Sequence, residues 1–455
     1  MKLHLGLAGM VCLLGPALRA QPAAGLPAQP ITVQDAARLA VKQHPAAEAA
    51  EARVRGAGAR VEQARTGYLP KLGYQESWQA SNNPVFVFST LLTQRRFTEA
   101  NFAIDALNRP DAINNFQSQV GAEQMLFDGG QTRRQVKSAQ LGVGMAKEQR
   151  ALTEMELVAR AARAYYGALL AEEALKVAEA SRASAEADLN RAESRREAGM
   201  ATEADVLSVR VHLAAVAEQI IVRRSERDVA LAALNEALGR GLDTPLQLTT
   251  GLQPVAPPTE AEQERARRAL AARPEVKQAG LAMEMSQTQA ASARSAYLPQ
   301  VSARLAGEAN RGQFVKQYGG NWFAGVSLRW NISSLYTTKA AIQEAVEAER
   351  ASAAQKRQLE SGIALQVRAA NARLQAARER TATADASVAQ AAESLRITRD
   401  RYENGLATMT DLLRNESAQL EASLRRVMAI HDQRVAAVEL EMASGSLTPD
   451  SEVLQ

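Results

Sequence analysis

The sequence predicts a mainly α chain with a small β part: long antiparallel helical hairpins that carry four short strands. Three observations predict it. One long unit occurs twice, and within each copy the hydrophobic period changes from helical to alternating and back. With 23% charged and only 4% aromatic residues, the 455-residue chain suits long solvated helices packed on small side chains rather than one thick globular core.

The repeat is read from fixed spacings. His44-Pro45 opens a helical run ending at Tyr68-Leu69-Pro70, and Arg273-Pro274 opens one ending at Tyr297-Leu298-Pro299; both pairs of prolines are 229 residues apart. Farther on, Gly199-Met200-Ala201-Thr202 matches Gly405-Leu406-Ala407-Thr408 at a spacing of 206 residues, 23 fewer. Most of that difference fits a longer connection between the two strands of the first copy. Residues 21–238 are thus expected to form one copy and 259–445 the second, joined by a Gly/Pro/Thr-rich linker at 239–258 and followed by a tail at 446–455.

The elements follow in order. Lys2, an apolar stretch from Leu3 to Leu18 and a small residue at Ala20 read as a signal peptide over residues 1–20, with the lone cysteine, Cys12, inside it. Residues 32–66 are helical in pattern, with Pro45 at a helix start, and the Tyr-Leu-Pro junction at Pro70 ends the run, because proline disfavours helical geometry in the residue before it. Strands are expected from Leu72 to about Ser81 and from Phe116 to Phe127, then near 301–305 and 322–330 in the second copy, with Trp322 and Trp330 at the two ends of the last. Runs of about ten residues with one apolar face suit a membrane barrel strand. After Asp128-Gly129-Gly130 a helix is expected to about Ala198, with a counterpart from about Ser334 to Asn404; near seventy residues would span about 100 Å. Narrow stripes such as Leu152, Met155, Ala159, Ala162, Tyr166 and Leu169 call for neighbouring helices along the whole length. Returning helices are expected at about 203–238 and 408–443.

Four strands cannot close a barrel, and an open edge in lipid leaves backbone groups unpaired. The chain must therefore meet copies of itself: two would give eight strands filled by side chains, three would give twelve and a wider bore, which suits a conduit.

Composition narrows the functional classes. A net charge of +4 with both signs interspersed argues against nucleic-acid binding. His4, His44, His212 and His431 lie singly without ligand spacing, so neither a metal site nor a cofactor is expected. There is no nucleophile elbow or catalytic carboxylate pair in a defined context, so no catalytic residue is assigned. The two Gly-x-Ala-Thr-x-x-Asp turns have a structural explanation: Gly199 and Gly405 end helices in a left-handed residue, Thr202 and Thr408 cap the next helices, and Asp205 and Asp411 complete capping boxes.

Together, the Tyr-Leu-Pro junctions, the Leu126-Phe127-Asp128-Gly129-Gly130 exit and the paired turns resemble the TolC-type outer-membrane efflux protein family, across nearly the whole chain beyond the leader. The resemblance implies a homotrimer in outer-membrane lipid, with a twelve-stranded barrel above a long α-helical periplasmic tunnel. It further implies contact with a periplasmic adaptor (membrane fusion) protein and, through it, an inner-membrane transporter. The implied role is passive conduction in a tripartite export system, with small-molecule efflux favoured over type I protein secretion or metal efflux. Carried over by residue, Asp205, Tyr402 and Asp411 match a periplasmic gate, whereas Ala407 and Arg414 stand where some members have an arginine and a second aspartate. The exposed tips, Gly199, Met200 and Ala201 with Gly405, Leu406 and Ala407, are the expected adaptor contacts; Pro70, Pro299, Gly129 and Gly130 mark helix–strand junctions. A structural or lipid-binding coiled-coil rod is the competing class, and it leaves the repeat-matched strands unexplained.

Overall fold

A computed structural model describes residues 29–257, 260–315, 318–332 and 335–455. The expected leader at 1–20 lies outside these residues. Each copy begins with two helices that meet at a proline: α1 (Val33–Gln43) and α2 (Pro45–Arg65) in the first, α7 (Glu262–Ala272) and α8 (Pro274–Ser295) in the second. Pro45 and Pro274 occupy the first helical turn, where the missing N–H costs nothing. His44 closes α1 and opens α2, its Nδ1 accepting from the Ala46 N–H at 3.1 Å. The helical run at 32–66 is therefore two helices with a hinge at His44.

Strands follow the Tyr-Leu-Pro junctions. The first copy supplies β2 (Lys71–Ser81) and β3 (Ile113–Phe127), and the second β5 (Gln300–Arg311) and β6 (Tyr318–Arg329). They form one antiparallel sheet in the order β2-β3-β5-β6, so the two copies join through β3 and β5. The copies differ where the spacing contracts: residues 312–317 connect β5 to β6, whereas 82–112 connect β2 to β3 and contain α3 (Pro84–Thr93) and α4 (Ile104–Asn108). Trp322 falls inside β6 and Trp330 just past its end, so the two do not bracket the strand as expected.

From the sheet, α5 (Gln131–Glu197) and α9 (Leu335–Glu403) run 67 and 69 residues, returning as α6 (Glu203–Ala237) and α10 (Met409–Ala443). At about 1.5 Å per residue each long helix reaches about 100 Å. Its stability comes from lateral packing, and α5 buries a stripe of Ala159, Ala162, Tyr166 and Leu169 to that end. The largest core sits midway along α5, where Tyr165 and Tyr166 meet α1, Leu234, Val438 and Leu454. There the inter-copy segment contributes a short strand, β4 (Leu246–Leu248), which pairs in parallel with β1 (Gln29–Ile31). The Tyr165 hydroxyl donates to the Ile31 carbonyl at 3.0 Å and accepts from the N–H groups of Thr249 and Thr250 at 3.2 and 3.0 Å. Thus the linker is fastened to the middle of the helical body rather than hanging free.

Candidate functional site

Two places in the fold carry features that packing alone does not require: the four-stranded sheet and the hairpin tips at the opposite end of the long helices.

In the sheet, side chains alternate between faces, and antiparallel partners share a face. The register puts Lys71, Gln75, Gln119, Glu123, Arg304 and Glu308 on one face, and Leu72, Tyr74, Trp78, Val120, Leu305 and Trp322 on the other. These six apolar residues are solvent-exposed in the single chain, Trp322 at 80% and Leu72 at 78%, and the same face carries the Glu76–Arg311 ion pair toward the end away from the long helices. The longer connection folds over the polar face: buried Gln94 donates from Nε2 to the Asn114 carbonyl at 2.8 Å and to Asn115 Oδ1 at 3.0 Å, and Asn115 donates to Asn310. A sheet with one wet face, one greasy face and free outer edges on β2 and β6 fits a wall segment of a barrel in lipid. Among the described residues no helix is long and apolar enough to cross a membrane.

The junctions between sheet and helices depend on backbone shape. Gly129 and Gly130 adopt φ of +63° and +79°, and a Cβ on Gly129 would meet Leu298 at 3.1 Å. Asp128 then caps α5, accepting from the Gly130 N–H at 2.8 Å and the Thr132 N–H at 2.6 Å. Pro70 follows a single tight turn at Thr66–Tyr68, and Pro299 directly precedes β5.

At the tips, both turns close as read from sequence. Gly199 and Gly405 have φ of +75° and +74°; the Met200 N–H bonds the Arg195 carbonyl and the Leu406 N–H the Arg401 carbonyl, each at 2.8 Å, as in a Schellman motif. Thr202 and Asp205 form a reciprocal capping box, as do Thr408 and Asp411. Hydrogen bonding from the Thr408 hydroxyl, with Arg414 at 3.8 Å adding to it, holds the Asp411 carboxyl below its ordinary range. Met200 and Leu406 are exposed and nothing lies within 4 Å of a Cβ placed on either glycine, whereas Ala201 and Ala407 are half-buried.

Tyr402 is buried in the tip cluster with Val206, Val209, Met409 and Leu412, so the two hairpins of one chain pack together there. Its hydroxyl has no hydrogen-bond partner within the chain, and burial, with Asp205 nearby, pushes its pKa up. Asp205 and Tyr402 therefore share an end of the molecule, but no hydrogen bond joins them within one chain; Asp411 engages Thr408 and Arg414 instead. Sequence reasoning missed Arg195, whose guanidinium lies 5.1 Å from the Tyr402 ring centroid and donates to the Glu403 carbonyl at 2.7 Å, tying the end of α5 to the end of α9. It missed, too, a charged layer above the tips, where Asp188 and Glu416 are buried. The signal was present: Leu412, Glu416 and Leu420 follow helical spacing, so an acid occupies a core position of an apolar stripe.

Such a chain joins an open four-stranded sheet with an exposed apolar face to a long helical body. The outer membrane efflux protein family model matches residues 36–240 and 266–446, and the chain belongs to that family. It is accordingly an outer-membrane channel protein whose long helices lie on the periplasmic side. It is similar to Protein CyaE of Bordetella pertussis, 27% identical over 450 residues that span 94% of this chain and 88% of the relative. Its fold resembles that of CusC, with a TM-score of 0.77 at 18% identity over 91% of this chain and 92% of the other. It resembles as well the CmeC outer membrane channel of Campylobacter jejuni, with a TM-score of 0.74 at 16% identity over 92% and 87%.

Proposed function

We propose that the chain is one protomer of a homotrimeric duct that passively conducts small molecules from a periplasmic adaptor protein and an inner-membrane transporter to the exterior. The observation that carries this reading is the sheet, with its unpaired outer edges and its division into a polar and an exposed apolar face. Three copies supply twelve strands and a bore wide enough for solutes, whereas eight strands would be filled by side chains. We read 21–238 and 259–445 as the two wall units, joined by 239–258, each ending in a tip at the periplasmic mouth.

At that mouth, Asp205, Tyr402 and Asp411 act as the gate. The Tyr402 hydroxyl supports this role, since a buried donor without a partner weakens the closed packing of the tip and gains one when the hairpins shift. Gly199, Met200 and Ala201 with Gly405, Leu406 and Ala407 receive the adaptor, their small residues permitting close helical approach. Pro70, Pro299, Gly129 and Gly130 redirect the chain between tunnel and barrel. Cargo is selected by the transporter behind the duct rather than by the duct itself.

Conductance of the purified protein in planar lipid bilayers tests the gate. Asp205→Ala combined with Tyr402→Phe should raise the resting conductance several-fold over the parent. Unchanged resting conductance in a variant that still forms pores would remove these residues from the gate.

A further inference from the structure

About 15 Å back from the end of α5, at about 1.5 Å per residue, a polar layer interrupts the apolar seam between the hairpins. All four tunnel helices contribute to it. Glu416 of α10 is buried, and its Oε1 accepts from the Ser184 hydroxyl of α5 at 3.0 Å and from Arg399 of α9 at 3.0 Å. Asp188 of α5 is 1% exposed; it pairs with Arg191 on its own helix and lies 3.4 Å from Arg399. His212 of α6 faces Glu416, with Nε2 3.6 Å from Oε2, and neither atom has a hydrogen-bond partner.

We propose that Asp188, Glu416, Arg399 and His212 form a clasp that holds the two hairpins of a protomer together and releases them as its proton is lost. The proposal rests on the reading of these tips as the channel mouth. The clasp holds two carboxyls against one guanidinium group and one imidazole, with Arg191 flanking Asp188, in a place where an apolar residue would have packed without a desolvation penalty. Its place at a position that joins α5, α6, α9 and α10 is explained if the layer has to come apart. Each partner is left with an unpaired buried charge when the hairpins separate inside a dry seam, but regains water when they separate fully.

The charge balance sets the direction. Burial and the neighbouring Asp188 carboxyl push Glu416 up to about 8, so it keeps its proton at neutral pH. Burial opposes the charge on Asp188, yet the protonated Glu416 beside it and the Arg191 and Arg399 guanidiniums hold its carboxyl low. When the hairpins part, Glu416 returns to the ordinary carboxyl range. Between that range and about pH 8 the clasped form holds a proton that the parted form has released; its advantage therefore falls as pH rises and is lost through about pH 8. His212 works in the opposite sense. Burial lowers its pKa, so acid favours the parted form, in which the imidazole can take a proton in water.

Spin labels at Met200→Cys and Leu406→Cys in the purified full-length protein report the separation of the two tips by pulsed dipolar spectroscopy. In the parent, the distance distribution should lengthen and broaden between about pH 7 and about pH 9, the window in which a group of pKa near 8 titrates. Glu416→Gln, which keeps the shape and removes the proton, should abolish that change; Asp188→Asn removes the same like-charge pair from the other side and serves if Glu416→Gln does not fold. His212→Gln should keep the alkaline change and lose any lengthening on acidification. A parent distribution that stays constant over this range, or a Glu416→Gln variant that changes as the parent does, overturns the clasp. A pH-dependent distance in a protein that forms no pores would uphold the clasp and count against the channel reading instead.

Discussion

Tyr165 is fully buried, yet its hydroxyl makes three hydrogen bonds to the backbone of β1's end and of the segment after β4. Removing it leaves the Thr250 amide without its partner, while the Ile31 carbonyl keeps the Thr249 N–H and hydroxyl, at a cost of about 1–3 kcal/mol. Tyr165→Phe should accordingly lower the urea midpoint of the helical signal in circular dichroism; an unchanged midpoint would mean that water replaces the hydroxyl without loss. At this scale the sequence is partly legible. Capping boxes at Thr202 and Thr408 depend on residues three apart, and both are read correctly. The partners of Tyr165, Arg195 and Glu416 lie tens to hundreds of positions away, so local pattern holds no trace of them.

Among the elements, the hairpin turns make the sharpest demand on their residues. A β-branched side chain at φ near +75° is strained by about 1–2 kcal/mol, while a Cβ at either glycine meets no other atom. Gly199→Val and Gly405→Val should therefore distort the tips without unfolding the hairpins or preventing trimer formation, and should abolish export. Accumulation of a fluorescent export substrate in cells carrying the double variant checks this, and undiminished export would displace the adaptor contact from the tips. The helices and strands themselves were legible because period and punctuation are local: Pro70 and Pro299 stop helices, and Gly129-Gly130 starts one. Two details were not. Trp322 lies within β6 because that strand begins at Tyr318, in a stretch whose Gly319 and Gly320 give no alternating signal. The inter-copy linker hid β4, three residues whose pairing with β1 is made by tertiary contact alone.

The whole molecule is incomplete as a single chain. Its sheet ends in two free edges, its apolar face carries exposed Trp78, Tyr74 and Trp322, and α6 exposes Val211, Ile221 and Val229 along its length. Water is a poor solvent for each of these surfaces, and partners of the same chain together with lipid satisfy them all. The proposed bore, gate and tip ring all require closure by three copies. Native mass spectrometry of the full-length protein, extracted from outer membranes in mild detergent, reads the closure directly. A dominant species of three chains is expected; a monomer or dimer that persists across detergents would contradict the trimeric duct.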